Sequence, residues 1–125
     1  MHISLPKIIQ GGMGVGVSNW RLAQAVSRIG QLGIVSGTGL DQVLARRLQD
    51  GDLGGDVRRA LGHFPFPQMA HRILDTLFIP GGKQPGEPYK TSEKPSIKNS
   101  HWFDELCIVS NFVEVFLARE GHSNP

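Results

Sequence analysis

The sequence predicts an α/β fold in which short buried strands alternate with helices. Three apolar runs are of strand length, at residues 7–10, 33–36 and 106–109, and each is too short to be a helix of its own. A segment with apolar residues at helical spacing follows each run. This alternation is typical of a parallel sheet that is covered by helices.

Residues that favour helix ends bound the first two units. Ser18 is the predicted N-cap of a first helix, and Gly30 stands where that helix is expected to stop. The predicted apolar face of this helix consists of Leu22, Ala25, Val26 and Ile29. Thr38 and Asp41 match a capping box, which predicts the start of a second helix.

The middle of the chain is predicted to contain two more helical stretches and a long loop. Apolar spacing places a short helix after Asp56 and another at residues 69–77. Residues 80–100 combine Pro and Gly with Lys and Glu, which predicts an insertion loop before the third strand. A final helix is expected to begin near Asn111, after that strand.

Composition limits the classes of function. The 125 residues carry 13 Lys plus Arg against 11 Asp plus Glu, and a net charge of +2 is too small to argue for nucleic acid. The single Cys excludes an internal disulfide framework and a multi-cysteine metal site. The chain shows no pattern of a membrane span or a signal peptide. We therefore expect a soluble, cytoplasmic protein without metal, nucleic-acid or membrane partners.

Glycines cluster at the turns that follow the first two predicted strands. Residues 11–16 read Gly-Gly-Met-Gly-Val-Gly, residues 36–39 read Ser-Gly-Thr-Gly, and no acidic residue precedes Asp41. Such turns suit an anionic ligand, but glycine also serves ordinary turns. Val17 stands where the dinucleotide fingerprint needs its third Gly and where a Walker A motif needs Lys. The pattern alone leaves both interpretations open.

Longer stretches around these turns carry a family resemblance. Residues 8–18 read Ile-Ile-Gln-Gly-Gly-Met-Gly-Val-Gly-Val-Ser, and residues 33–39 read Gly-Ile-Val-Ser-Gly-Thr-Gly. Together they resemble the opening of nitronate monooxygenases, the FMN-dependent 2-nitropropane dioxygenase family. The usual family turn is Gln-Ala-Pro-Met-Ala-Gly, so Gly11 and Gly12 replace Ala-Pro and Gly14 replaces Ala. Residues 110–122 resemble a branch that includes enoyl reductases of polyunsaturated fatty acid and polyketide synthases.

The resemblance implies a fold and a set of cofactor contacts. The family fold is a TIM barrel with FMN at the carboxyl ends of its strands, so residues 1–125 would form a partial FMN-binding domain, the N-terminal (β/α)3 part of the barrel. Met13 matches the Met whose backbone lies against the flavin, and Gly12 and Gly14 match its neighbours, which donate N–H groups to the isoalloxazine edge. Asn111 would face this site from the end of the third strand, and capping of the next helix is its alternative role.

The resemblance also implies a reaction. The first expectation is FMN-dependent oxidation of an alkyl nitronate by O₂. The alternatives are NAD(P)H-dependent reduction of an enoyl thioester and an inactive, truncated α/β domain. The catalytic histidine of the family lies later in the barrel, so no catalytic residue is assigned in this chain. We expect an incomplete N-terminal fragment that is inactive alone and that self-associates into homo-oligomers through unpaired strand edges.

Overall fold

The chain is helical. In the computed structural model, which describes residues 5–90 and 94–125, the described residues form five helices and no β-sheet. The helices are α1 (Trp20–Arg28), α2 (Leu40–Gln49), α3 (Asp56–Leu61), α4 (Pro67–Leu77) and α5 (His101–Arg119). The predicted α/β fold, as the (β/α)3 part of a TIM barrel, is therefore wrong.

The third predicted strand, at residues 106–109, lies inside α5. Buried apolar side chains recur along this helix every three or four residues, at Phe103, Leu106, Val109, Val113 and Leu117. The hydroxyl of Ser100 accepts the N–H of Phe103 at 3.1 Å and thereby caps the first turn. The helix thus begins well before Asn111 and includes the apolar run, because a run of four residues does not by itself distinguish a strand from a buried helix segment.

Of the first two predicted strands, the first contributes Ile9 to one isolated parallel bridge with Leu32, and residues 33–36 form no strand. Side chains replace backbone partners at both ends of the bridge. The Oε1 atom of Gln31 accepts the N–H of Lys7 at 2.9 Å, and the carboxamide of Gln10 acts in the same way at the other end. These side-chain amides occupy the backbone groups through which a ladder would continue.

The close contacts divide the chain into two compact units. Unit 1 comprises Met1–Thr38 and Glu114–Pro125, and unit 2 comprises Gly39–Val113, so that α5 contributes to both. In unit 2, α2 packs against α3 and α4. The buried apolar side chains of unit 2 include Leu44, Leu48, Val57, Ala60, Ile73, Leu106 and Val109.

Helix α1 in unit 1 buries a different face from the predicted one. Its buried residues are Trp20, Ala23 and Ser27, whereas Ile29 is 71% exposed. The reason is a close approach by the backbone of Gly33, at which a Cβ atom would lie 2.1 Å from the carbonyl oxygen of Ala23. The small residues Ala23 and Ser27 admit this contact, whereas Leu22 and Val26 of the predicted face are only partly buried.

The predicted helices in the middle of the chain are confirmed as α2, α3 and α4. The predicted capping box of α2 is wrong, because the N-cap is Gly39, with a φ of 69° and no side-chain hydrogen bond. Residues 78–90 and 94–100 form no helix or strand, and residues 91–93 of the predicted insertion loop lie outside the described residues. No helix in the described part is long and apolar enough to span a membrane.

Candidate functional site

Three of the four residues that the resemblance assigns to the flavin lie in one loop. Gly12, Met13 and Gly14 belong to the segment between the parallel bridge and α1, within unit 1. Asn111 lies on α5 in unit 2, where its Nδ2 atom donates to the carbonyl oxygen of Cys107 at 2.8 Å. It is therefore in the interior of a helix, and both its predicted position at a strand end and its alternative as a helix cap are wrong.

Hydrogen bonds from the partly buried side chain of Gln10 fix the base of this loop. The Nε2 atom of Gln10 donates to the carbonyl oxygens of Gly11 at 3.0 Å and Ile34 at 2.9 Å. The Oε1 atom of Gln10 accepts the N–H of Ile34 at 3.1 Å. The carboxamide thus pairs with both backbone groups of one residue, as a neighbouring strand would, and the loop starts from a defined position.

Ser18 holds the far end of the loop. Its side chain is buried, and its Oγ atom accepts the N–H of Met13 at 2.8 Å and donates to the carbonyl oxygen of Gly11 at 3.4 Å. Its own carbonyl oxygen accepts the N–H of Ser36 at 2.9 Å, so the second glycine-rich segment is tied to the same point. A turn closed by the N–H of Val17 and the carbonyl oxygen of Gly14, 3.1 Å apart, completes the loop.

The outer surface of the loop combines backbone donors with apolar side chains. The N–H groups of Gly12 and Gly14 have no acceptor among the described residues. The side chains of Met13, Val15 and Val17 are each about half exposed. A Cβ atom at Gly14 would meet no described atom within 4 Å. The loop can therefore offer hydrogen bonds and apolar contact to the same ligand.

The N-terminus of α1 already has a carboxylate partner. The Oε1 atom of Glu114, which is 2% exposed, accepts the N–H of Trp20 at 2.9 Å. The Oδ1 atom of Asn19, the N-cap, accepts the N–H of Leu22 at 3.1 Å. This negative charge at the positive end of the helix takes the place of an external anion. The helix start therefore does not supply the anion site that the glycine-rich turns, with no acidic residue before Asp41, suggested.

A charged cluster lies in unit 2. The side chain of Glu105 is buried and accepts a bidentate pair of hydrogen bonds from Arg72, with Nε to Oε2 at 3.2 Å. The hydrogen bond from Arg72 lowers the pKa of Glu105 against the opposing effect of burial. The Nε2 atom of the exposed His101 lies 3.2 Å from the same carboxylate. This cluster connects α4 to α5 and has the geometry of a structural ion pair.

The remaining reactive side chains of the described residues form no metal centre. The described residues contain no group of three or more His, Cys, Asp or Glu side chains that could hold a metal ion. The thiol of Cys107 is half-buried, and desolvation raises its pKa, so it is protonated at neutral pH. The loop of residues 11–18 is the candidate site, because it combines N–H groups without an acceptor among the described residues with half-exposed apolar side chains.

Sequence reasoning missed three residues that shape this site. Gln10 precedes the glycines, Ser18 is the predicted N-cap of the first helix, and Glu114 falls within the predicted final helix. Their partners lie between 1 and 94 positions away along the chain, so sequence spacing gave no signal for them. Comparison of the chain with known protein families, curated proteins and solved structures finds no match.

Proposed function

We propose that the loop of residues 11–18 contacts the isoalloxazine ring of FMN, in a flavin-dependent oxidoreductase of the nitronate monooxygenase type. The observation that carries this proposal is the pair of N–H groups at Gly12 and Gly14, which lack an acceptor in the described chain while Met13 between them is bound to Ser18. The resemblance of residues 8–18 to the flavin turn of that family supports the same assignment.

The donor set of the loop fits the flavin ring and does not fit its phosphate. Backbone N–H groups match the carbonyl and imine acceptors of the ring, and the half-exposed Met13, Val15 and Val17 match its apolar face. A phosphate at the start of α1 would meet the carboxylate of Glu114 there, and the two negative charges would repel. We therefore assign this loop to the ring alone.

In the reaction, this chain would position the flavin ring and stabilise the negative charge that develops on it. When bound, FMN accepts electrons from an alkyl nitronate and passes them to O₂. Fixed N–H groups at Gly12 and Gly14 hold the ring edge and stabilise the negative charge of the reduced ring. They need little reorganisation, because Gln10 and Ser18 fix the loop on both sides. Proton abstraction is not assigned to a residue of this chain.

Titration of the full chain with FMN tests the proposal. We expect a saturable shift of the flavin absorption bands and quenching of flavin fluorescence. Gly14→Ala should weaken this binding, because the methyl group would occupy open space beside the proposed donor. Ser27→Ala is the control, since Ser27 is a buried residue of α1 outside the loop and should leave FMN binding unchanged. A wild-type chain that leaves the flavin spectrum unchanged contradicts the proposal.

A second titration separates the two reactions that the resemblance allows. An alkyl nitronate added to the FMN-loaded chain should perturb the flavin spectrum, because the substrate would bind against the ring. Perturbation by NAD(P)H and an enoyl thioester, without an effect of the nitronate, would instead favour the enoyl reductase. Binding is the readout here, since the resemblance places the catalytic base outside these residues.

A further inference from the structure

The hydroxyl of Ser18 forms hydrogen bonds with the loop and does not cap the helix that follows it. Helix α1 has its own cap in Asn19, whose Oδ1 atom accepts the N–H of Leu22. The Ser18 hydroxyl instead accepts the N–H of Met13, five residues earlier, and donates to the carbonyl oxygen of Gly11. A buried serine with both hydrogen-bonding capacities directed at one loop has a role in the shape of that loop.

The two hydrogen bonds constrain the segment in which the glycine donors lie. Gly12 is between the two backbone groups that Ser18 binds, and Gly14 follows directly after Met13. Glycine has more backbone freedom than any other residue, so a segment with Gly at positions 11, 12, 14 and 16 is poorly ordered unless something fixes it. Without the hydroxyl, the N–H of Met13 and the carbonyl oxygen of Gly11 would lose this partner and turn towards water.

We propose that Ser18 is a positioning residue for the flavin contact. It binds the N–H of Met13 and the carbonyl oxygen of Gly11, and so holds the segment that carries the N–H groups of Gly12 and Gly14 in one fixed arrangement. This inference rests on the proposed FMN function and adds the residue that fixes the shape of the loop.

Hydrogen exchange and FMN titration of matched variants test this inference. Ser18→Ala removes the Oγ atom only, and amide exchange at Met13 should accelerate about tenfold or more. FMN binding should weaken about tenfold, the equivalent of one hydrogen bond. Ser27→Ala, a second buried serine of unit 1 that lies on α1, is the control and should leave both readouts unchanged. Ser18→Thr keeps the hydroxyl and should restore slow exchange at Met13.

The outcomes separate this inference from the proposed function. If the wild-type chain binds FMN and Ser18→Ala binds it as tightly, Ser18 does not position the flavin contact and the inference is overturned. If exchange at Met13 is the same in the wild-type chain and in Ser18→Ala, Ser18 does not hold the loop, whatever the result with flavin. If the wild-type chain does not bind FMN although exchange at Met13 responds to the substitution, the proposed function fails and the inference fails with it.

Discussion

The carboxylate of Glu114 accepts the backbone N–H of Trp20 at 2.9 Å, across 94 positions of the sequence. Trp20 is the first residue of α1, and its N–H is one of the donors that a helix leaves without a partner inside the helix. The buried Glu114 side chain, on the last part of α5, thus joins the two segments of unit 1 and neutralises the positive end of α1.

Glu114→Ala should destabilise the chain by about 2 kcal/mol, because a charge-assisted hydrogen bond is lost and the N–H of Trp20 stays without its acceptor. Glu114→Gln keeps an acceptor oxygen and should cost about half as much. Urea denaturation followed by circular dichroism measures both. The exposed Glu87 provides the control, since Glu87→Gln should leave the midpoint unchanged. Equal midpoints for wild type and Glu114→Ala would show that the contact contributes nothing.

Two substitutions of Gln10 test the contributions of its donor atom and its acceptor atom separately. Gln10→Glu keeps the Oε1 acceptor for the N–H of Ile34 and loses the Nε2 donor to the carbonyl oxygen of the same residue. At neutral pH, amide exchange at Ile34 should therefore remain slow in Gln10→Glu and become fast in Gln10→Ala. Fast exchange in both variants would mean that the donor is the part of the side chain that holds the segment.

Substitution of alanine for glycine should have very different effects on stability at Gly33 and at Gly11. Gly33→Ala would place a methyl group 2.1 Å from the carbonyl oxygen of Ala23, so α1 or its neighbour must move, at a cost of about 3 kcal/mol. Gly11→Ala meets no described atom within 4 Å and should be neutral or slightly stabilising. Thermal denaturation should show a large drop in Tm for Gly33→Ala alone. Similar melting of the two variants would contradict the close packing of Gly33 on α1.

The pair of Arg72 and Glu105 should give the chain an acid-sensitive stability. Arg72 holds the pKa of Glu105 below its ordinary value of 4.5 in the folded chain. The stabilisation is therefore fully present above that ordinary value and is lost as the pH falls through the lower folded value. Arg72→Gln should reduce the free energy of unfolding at pH 7 and flatten its dependence on pH between about 3 and 5.

The control for this pH dependence is Glu105→Gln, which removes the titrating group. Between about pH 3 and pH 5, its free energy of unfolding should depend on pH as weakly as that of Arg72→Gln. Urea denaturation from pH 3 to pH 7 supplies the comparison. If the free energy of unfolding falls in the same way with decreasing pH in the wild-type chain and in both variants, another carboxylate is responsible for the loss of stability in acid.

The sequence predicted the helices where apolar spacing and end signals coincide. Gly30, with a φ of 79°, follows α1 as expected, and the apolar residues of residues 69–77 form the buried face of α4. It failed at residues 106–109, where the polar residues Glu105 and Ser110 bound a short apolar run that resembles a strand. Helical spacing over residues 103–117 outweighs that local run, because each apolar residue at that spacing is buried.

For the candidate site, the residue pattern located the segment, and contacts in the folded chain set its hydrogen bonding. The glycines and the apolar residues of residues 11–18 were sufficient to predict a loop. In the folded chain Ser18 accepts the N–H of Met13 and Glu114 accepts the N–H of Trp20. The first contact joins groups five positions apart and the second joins groups 94 positions apart, and neither follows from the preference of a single residue for a local structure.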